Sequence, residues 1–307
     1  MLQGVTLKDE NTIKKLEKIQ ENNLIVIIFA VSFVLYLLTK SVLIAFIAGA
    51  SLISWFILDI YISVLKEGWK KELIELGKAA AAALIIFGAL TLLLGSPVPI
   101  SGVVSCSLLP SYERGDFVVV KGVKATEINA PTVEISKEEF QIITQEKIGC
   151  GNGTKGVISY NCQANCPRIS SSTKQMVGYS PECVRSITIN SIFGNRTIYE
   201  NLSNDVIVYA SHINGKYTGI DIVHRAFLKL KVKEDNTSAS SNKEEYYILT
   251  KGDNNNYMDI SYFDIVREED LKGKVIFRIP VLGYIKLLIS GPQYYGEPEG
   301  CDTILLH

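Results

Sequence analysis

Three uncharged apolar runs crowd the first third of this 307-residue chain: Leu24–Leu38, Val42–Leu58 with its continuation Ile60–Leu65, and Ala79–Leu94. A helix that crosses a bilayer needs about 20 mostly apolar residues. Flanking small and polar residues bring each run to that length. We therefore expect three transmembrane helices, near residues 22–40, 42–64 and 79–99, in a membrane region spanning 24–99. A re-entrant hairpin made of the first two runs is the alternative. Asp59 is costly in lipid, so it is expected at an interface or against another helix. Lys8, Lys14, Lys15 and Lys18 precede the first run, Lys66, Lys70, Lys71 and Lys78 lie between the second and third, and the turn between the first two holds only Lys40. Basic residues stay on the cytoplasmic side. This bias places segment 1–23 and a 66–78 loop in the cytoplasm and everything beyond about residue 100 outside the cell membrane. The first run follows a long mixed-charge segment and lacks a small-residue cleavage pattern, so it reads as a retained anchor, not a removable signal.

The region 100–307 agrees with an external address. It carries four Asn-x-Ser/Thr sequons, at Asn152, Asn195, Asn201 and Asn236, and all 6 cysteines. Glycosylation is the expectation at the sequons. Cys150, Cys162, Cys166 and Cys183 cluster, which suits two disulfides in an oxidising exterior, with three possible pairings. Free thiols and a zinc knot are the alternatives. Cys106 and Cys301 are candidates to pair with each other. Short β-rich runs replace the apolar helices: 117–120, 206–209, 227–232, 246–250 and 274–278, bounded by turn residues. The expected class is therefore a membrane-anchored, mainly-β protein, with N-terminal transmembrane helices followed by an antiparallel β domain over 100–307. Residues 123–203 read as an insertion between its strands, and 234–245 as an exposed loop. The 31 basic residues balance 32 acidic ones. With no basic run, nucleic acid is not an expected partner. Only 3 histidines are present, too few for a metal site built on imidazole.

The chemistry concentrates in three places. Ser107 lies in SGVVSCSLLPSYERGDFVVVK, residues 101–121, just past the third span. On its own this is a serine-rich turn. His224 sits at the start of an expected strand, in Asp221-Ile-Val-His-Arg225. It is a better candidate base than His212, because its apolar neighbours would hold it. Asp253 and Asp259 follow the strand 246–250, in KGDNNNYMD. A serine hydroxyl becomes a nucleophile when a base takes its proton, and imidazole suits that task near neutral pH. A carboxylate beside the imidazole fixes its tautomer and stabilises its cation.

These segments resemble the type I signal peptidases. VSCSLLPSYERGDFVVV (104–120) is similar to the family pattern V-S-G-S-M-x-P-x-x-x-x-G-D-x-V-x-V. DIVHR (221–225), TKGDNNNYMD (250–259) and KGKVIFRIPVLGYIK (272–286) resemble the later motifs in order. The histidine at 224, where the usual bacterial form has lysine, resembles the archaeal and endoplasmic-reticulum subtype (peptidase family S26B). The large external domain favours a self-sufficient archaeal enzyme. The resemblance implies Ser107 as nucleophile, His224 as general base, Asp259 as the carboxylate that orients it, Asp253 as a further important aspartate, and Ser105 as an oxyanion-hole hydroxyl beside the backbone N–H of Ser107. It implies no cofactor and no metal. Its substrates would be exported preproteins cut at small-x-small sites, bound as an extended strand. The bilayer and the protein-export channel are the other implied partners, with apolar surface near 281–289 dipping into lipid. A specialised relative cleaving a few surface precursors, or a non-catalytic scaffold of the same fold, are the other readings. Two positions depart from the pattern. Cys106 replaces Gly, which would strain a positive φ, and its thiol is a rival nucleophile. Leu108 replaces Met at nearly equal volume.

Overall fold

Apolar length and helix length part company in the N-terminal region of the computed structural model. The structure describes residues 7–39, 41–145, 149–150, 156–233, 244–290, 298 and 300–307. Four helices come first: α1 (Leu7–Glu21), α2 (Leu24–Thr39), α3 (Val42–Glu67) and α4 (Trp69–Leu94). Three stretches, Thr12–Thr39, Val42–Glu67 and Trp69–Leu94, are long and apolar enough to cross a membrane. The expected 66–78 loop is not a loop. α3 continues to Glu67, Gly68 breaks the chain at φ +82, and α4 starts at Trp69. Lys, Glu and Leu are good helix formers, and Lys71 reaches Glu67 at 2.9 Å while Lys78 reaches Glu75 at 2.8 Å. Hydropathy thus marks where apolar sequence ends, not where the helix ends.

The chain divides into two units. The first comprises residues 1–90 and 284–297. Its core joins Tyr36 of α2, Ala45 and Ala48 of α3, and Tyr284, Leu287 and Leu288 of a short helix, Gly283–Ser290. The two alanines let the elements approach closely, and Tyr36 and Tyr284 meet edge to face at 5.5 Å. The expectation of a lipid-facing 281–289 surface is therefore corrected in part: its inner face packs on α2 and α3, while Val281, Leu282 and Ile289 stay exposed. Asp59 accepts a hydrogen bond from Gln20 of α1 at 2.7 Å, so it does face another helix.

The second unit comprises 91–283 and 298–307. Its strands are β1 (Ile100–Gly102), β2 (Phe117–Lys121), β3 (Thr132–Ser136), β4 (Ile158–Ser170), β5 (Met176–Ser191), β6 (Gly194–Tyr199), β7 (Val206–Ile213), β8 (Lys216–Lys233), β9 (Glu245–Lys251), β10 (Val266–Arg267), β11 (Leu271–Ile279) and β12 (Thr303–Leu305). The main sheet runs β1-β2-β11-β7-β8-β9-β10, with β3 added parallel to β8; the second runs β12-β4-β5-β6. All other pairings are antiparallel. Residues 123–203 are thus not one separate insertion. β3 belongs to the main sheet, and β4–β6 build the second. A helix, α5 (Lys137–Gln145), joins them. Ile187 and Ile189 of β5 share one core with Leu228 and Leu230 of β8 and with Leu249 of β9. Each such side chain contributes about 1.5–3 kcal/mol by burial, which anchors β8 in this core.

The cysteines pair as Cys106–Cys301, Cys150–Cys162 and Cys166–Cys183. No sulfur is left for the zinc-knot alternative. Asn195 and Asn201 are exposed; the sequons at Asn152 and Asn236, and nearly all of the 234–245 loop, lie outside the described residues.

Candidate active site

The site is assembled by three adjacent strands and two turns. β8 lies between β7 and β9, and its register puts His224 opposite Ile207 and Ala226 opposite Thr250. This backbone is pinned on both sides, so the imidazole starts from a fixed root. His224 is buried, as a purely structural strand histidine would also be. Its ring, however, is not satisfied by the core. Nδ1 lies 2.7 Å from Asp259 Oδ2, and Nε2 lies 2.8 Å from Ser107 Oγ. With Nδ1–H donating to the carboxylate, the Nε2 lone pair faces the serine hydroxyl.

Asp259 opens a short 3-10 turn, Asp259–Ser261, and is buried. Its Oδ2 also accepts from Thr250 Oγ1 at 2.6 Å and Tyr209 OH at 2.9 Å. Burial alone would raise this carboxyl. The His224 charge and the hydrogen bonds from His224, Thr250 and Tyr209 outweigh it and hold the group below the ordinary value. Tyr209 is pushed well upward, first by burial and then by the Asp259 charge, so it stays a neutral donor.

Ser107 stands in the turn that follows β1. Gly115, at φ +89, turns the chain back into β2, and its N–H donates to Val103 O at 2.8 Å. Only glycine adopts that backbone freely. On the other side, Asn254 N–H donates to Ser107 O at 2.7 Å. Gly252 lets this loop approach: a Cβ there would sit 2.7 Å from Ser107 O. Leu108 is buried where the family pattern has Met. Ser105 Oγ is 3.1 Å from Ser107 Oγ and exposed. Cys106 has no positive φ and is bonded to Cys301, which removes both the strain and the rival thiol. An open cleft of about 760 Å³ adjoins Ser107, lined among others by Ser105, Arg168, Asn256, Tyr257 and Thr303.

Asp253 is not part of this line. Its carboxylate takes Arg225 Nε and Nη2, both at 2.7 Å, and Ser111 Oγ at 2.6 Å. Asp253 and Arg225 are both buried, so removing one strands the other. Asp253→Ala is expected to cost about 3–5 kcal/mol of stability; thermal unfolding of the detergent-solubilised protein checks it, and an unchanged melting temperature would refute it. Arg225 follows His224 in β8, so this ion pair ties Asp253 to that strand. Tyr209, Thr250, Arg225 and Asn254 had no role in the sequence reading. Thr250 and Asn254 lie in the third motif, but nothing in it says which carbonyl or carboxylate they meet.

No family model matches the chain. Among curated proteins it is similar to eukaryotic ones named signal peptidase complex catalytic subunit SEC11. It is 30% identical over 106 residues to that of Ogataea parapolymorpha, covering 33% of this chain and 57% of the relative. It is 38% identical over 96 residues to that of Lodderomyces elongisporus, covering 30% and 49%, and 35% identical over 96 residues to that of Yarrowia lipolytica, covering 30% and 48%. The chain thus spans about half the length of the curated relatives it matches. Over about a third of its length, in the part that carries the ordered motifs, the chain is thus similar to endoplasmic-reticulum-type signal peptidase catalytic subunits.

Proposed function

We propose that this chain is a multi-pass membrane serine endopeptidase that removes N-terminal signal peptides from exported preproteins at small-x-small sites. The observation that carries the reading is the unbroken line from Ser107 Oγ through His224 to Asp259 Oδ2, at 2.8 and 2.7 Å. In it, His224 Nε2 takes the proton of Ser107 as Oγ attacks the scissile carbonyl, and Asp259 stabilises the imidazolium that forms. His224 then gives that proton to the leaving amine. A water, deprotonated by the same nitrogen, cleaves the acyl-enzyme. The oxyanion falls to the Ser107 N–H and the Ser105 hydroxyl. Ser105→Ala should therefore lower kcat by about 100-fold, the usual effect of one oxyanion donor; a change below threefold in steady-state cleavage would remove Ser105 from the role.

In this reading the helices set the catalytic domain on the extracytoplasmic face of the cell membrane, beside the export channel, where a preprotein docks as an extended strand. The archaeal, self-sufficient assignment rests on the size of the external domain, since the matched relatives are eukaryotic. Asn195 and Asn201 are the glycosylation candidates among the described residues. The specialised-protease reading has one observation in its favour: Arg168 and Ser180 of the second sheet line the cleft beside Ser107. The test is cleavage of a preprotein by the full chain in lipid vesicles. Cleavage after the small-x-small site, absent with Ser107→Ala, is expected. No cleavage of any of several preproteins, or cleavage that survives the substitution, overturns the proposal.

A further inference from the structure

The second sheet and the C-terminal strand are tied to the turn that carries Ser107 through two residues, Asn254 and Arg168. Asn254 is buried. Its N–H holds Ser107 O at 2.7 Å, and its Nδ2 reaches Cys106 O at 3.1 Å. The same Nδ2 reaches Gly300 O at 3.1 Å and Thr303 O at 2.9 Å, while Oδ1 accepts from Leu305 N at 2.8 Å. One amide therefore joins the nucleophile turn to β12. β12 is in turn the edge of the second sheet, paired with β4.

Arg168 of β4 fixes that amide from behind. Nη1 donates to Asn254 Oδ1 and Thr303 Oγ1, each at 3.2 Å. Nη2 donates to Asn254 O at 3.2 Å and Asn256 Oδ1 at 2.9 Å, and Nε donates to Ser180 Oγ at 2.5 Å. A planar fork with five N–H groups can meet these partners at once; a lysine cannot. The Cys106–Cys301 disulfide, packed among Leu109, Ile304 and Ile169, is a second tie between the same two segments.

We propose that Arg168 is a positioning residue for Ser107, acting through Asn254, and that the second sheet is part of the catalytic scaffold and not an appended module. This rests on Ser107 being the nucleophile. A nucleophile held loosely by an ångström loses rate far more than it loses binding. Arg168→Met leaves the Asn254, Asn256 and Thr303 acceptors without their fork, so the 252–256 loop and the turn it holds lose register. Arg185 is the control. It bonds to Gln163 Oε1 within the second sheet, reaches the C-terminal segment at Leu306 O and His307 Nδ1, and pairs with Glu200 at 3.8 Å, and none of these contacts is made to residues 252–256 themselves.

The test compares wild type, Ser107→Ala, Arg168→Met, Arg168→Lys and Arg185→Met in steady-state cleavage of a small-x-small preprotein, with melting temperatures alongside. Arg168→Met is expected to lower kcat by 30-fold or more with KM within twofold, Arg168→Lys to recover part of it, and Arg185→Met to keep kcat within twofold whatever its melting temperature. Asn256→Ala, which removes one acceptor, is expected to lower kcat about threefold, and it carries the test if Arg168→Met does not fold. Arg168→Met with kcat within twofold, or equal losses for both arginine variants, overturns the inference. With Arg168→Met unfolded, an Asn256→Ala kcat equal to wild type does the same. Activity that survives Ser107→Ala instead overturns the reading of the nucleophile itself, so the two failures are distinguishable.

Discussion

Ser107→Ala is expected to lower kcat for preprotein cleavage by about 10⁴-fold or more, equivalent to about 5.5 kcal/mol of transition-state stabilisation, while leaving KM and the melting temperature near wild type. The fold gives the reason for the split. Among the described residues, the Oγ of Ser107 is hydrogen-bonded to His224 Nε2 and Ser105 Oγ. The backbone of the turn is held independently, by Asn254 on Ser107 O and by the buried Leu108. In the proposed mechanism, removing the hydroxyl therefore deletes the attacking atom and little else. His224→Ala should cost about as much, and the double variant no more than either alone, because nucleophile and base act as one unit. A double variant that loses the product of the single effects would mean that the two side chains work separately and that the 2.8 Å contact is structural.

The sequence made the class of the fold readable because its two halves use different periods. Uncharged runs announce helices in lipid, and short β-branched runs announce strands. It made Ser107, His224 and Asp259 readable because motif order is a one-dimensional property. Asp253 shows the limit. In the same motif, six residues before Asp259, it turns to Arg225 and Ser111, and nothing in the spacing separates a carboxylate that meets a histidine from one that meets an arginine. The second sheet was hidden for a related reason. β4 and β5 are rich in Ser, Asn, Cys and Pro, a composition that reads as loop, yet two disulfides and long-range pairing make a sheet of it. Tertiary context overrides propensity most where strands are polar on one face. The parallel partnership of β3 with β8 likewise depends on contacts a hundred residues apart.

Asp259→Asn is expected to cost about 10⁴-fold in kcat although the amide nearly matches the carboxylate in shape. Three donors converge on one oxygen of Asp259: His224 Nδ1, Thr250 Oγ1 and Tyr209 OH. They come from three neighbouring strands, so the oxygen cannot move to follow a changed imidazole. If the amide nitrogen faces Nδ1, the histidine proton shifts to Nε2 and the ring can no longer accept from Ser107. If the amide oxygen faces Nδ1, the tautomer survives, but the charge that balances the imidazolium is gone. Both outcomes slow the reaction. Asp259 is held below its ordinary value by these same partners. Its contribution to stability is therefore fully present above the unfolded carboxyl's titration, near 3.8, and is lost as pH falls through the lower folded value. Substituting Asn should lower stability at neutral pH and flatten that acid limb. A variant that keeps kcat within tenfold of wild type would leave Asp259 a buried hydrogen-bond acceptor with no part in catalysis, and would transfer the task of orienting His224 to its position in β8 alone.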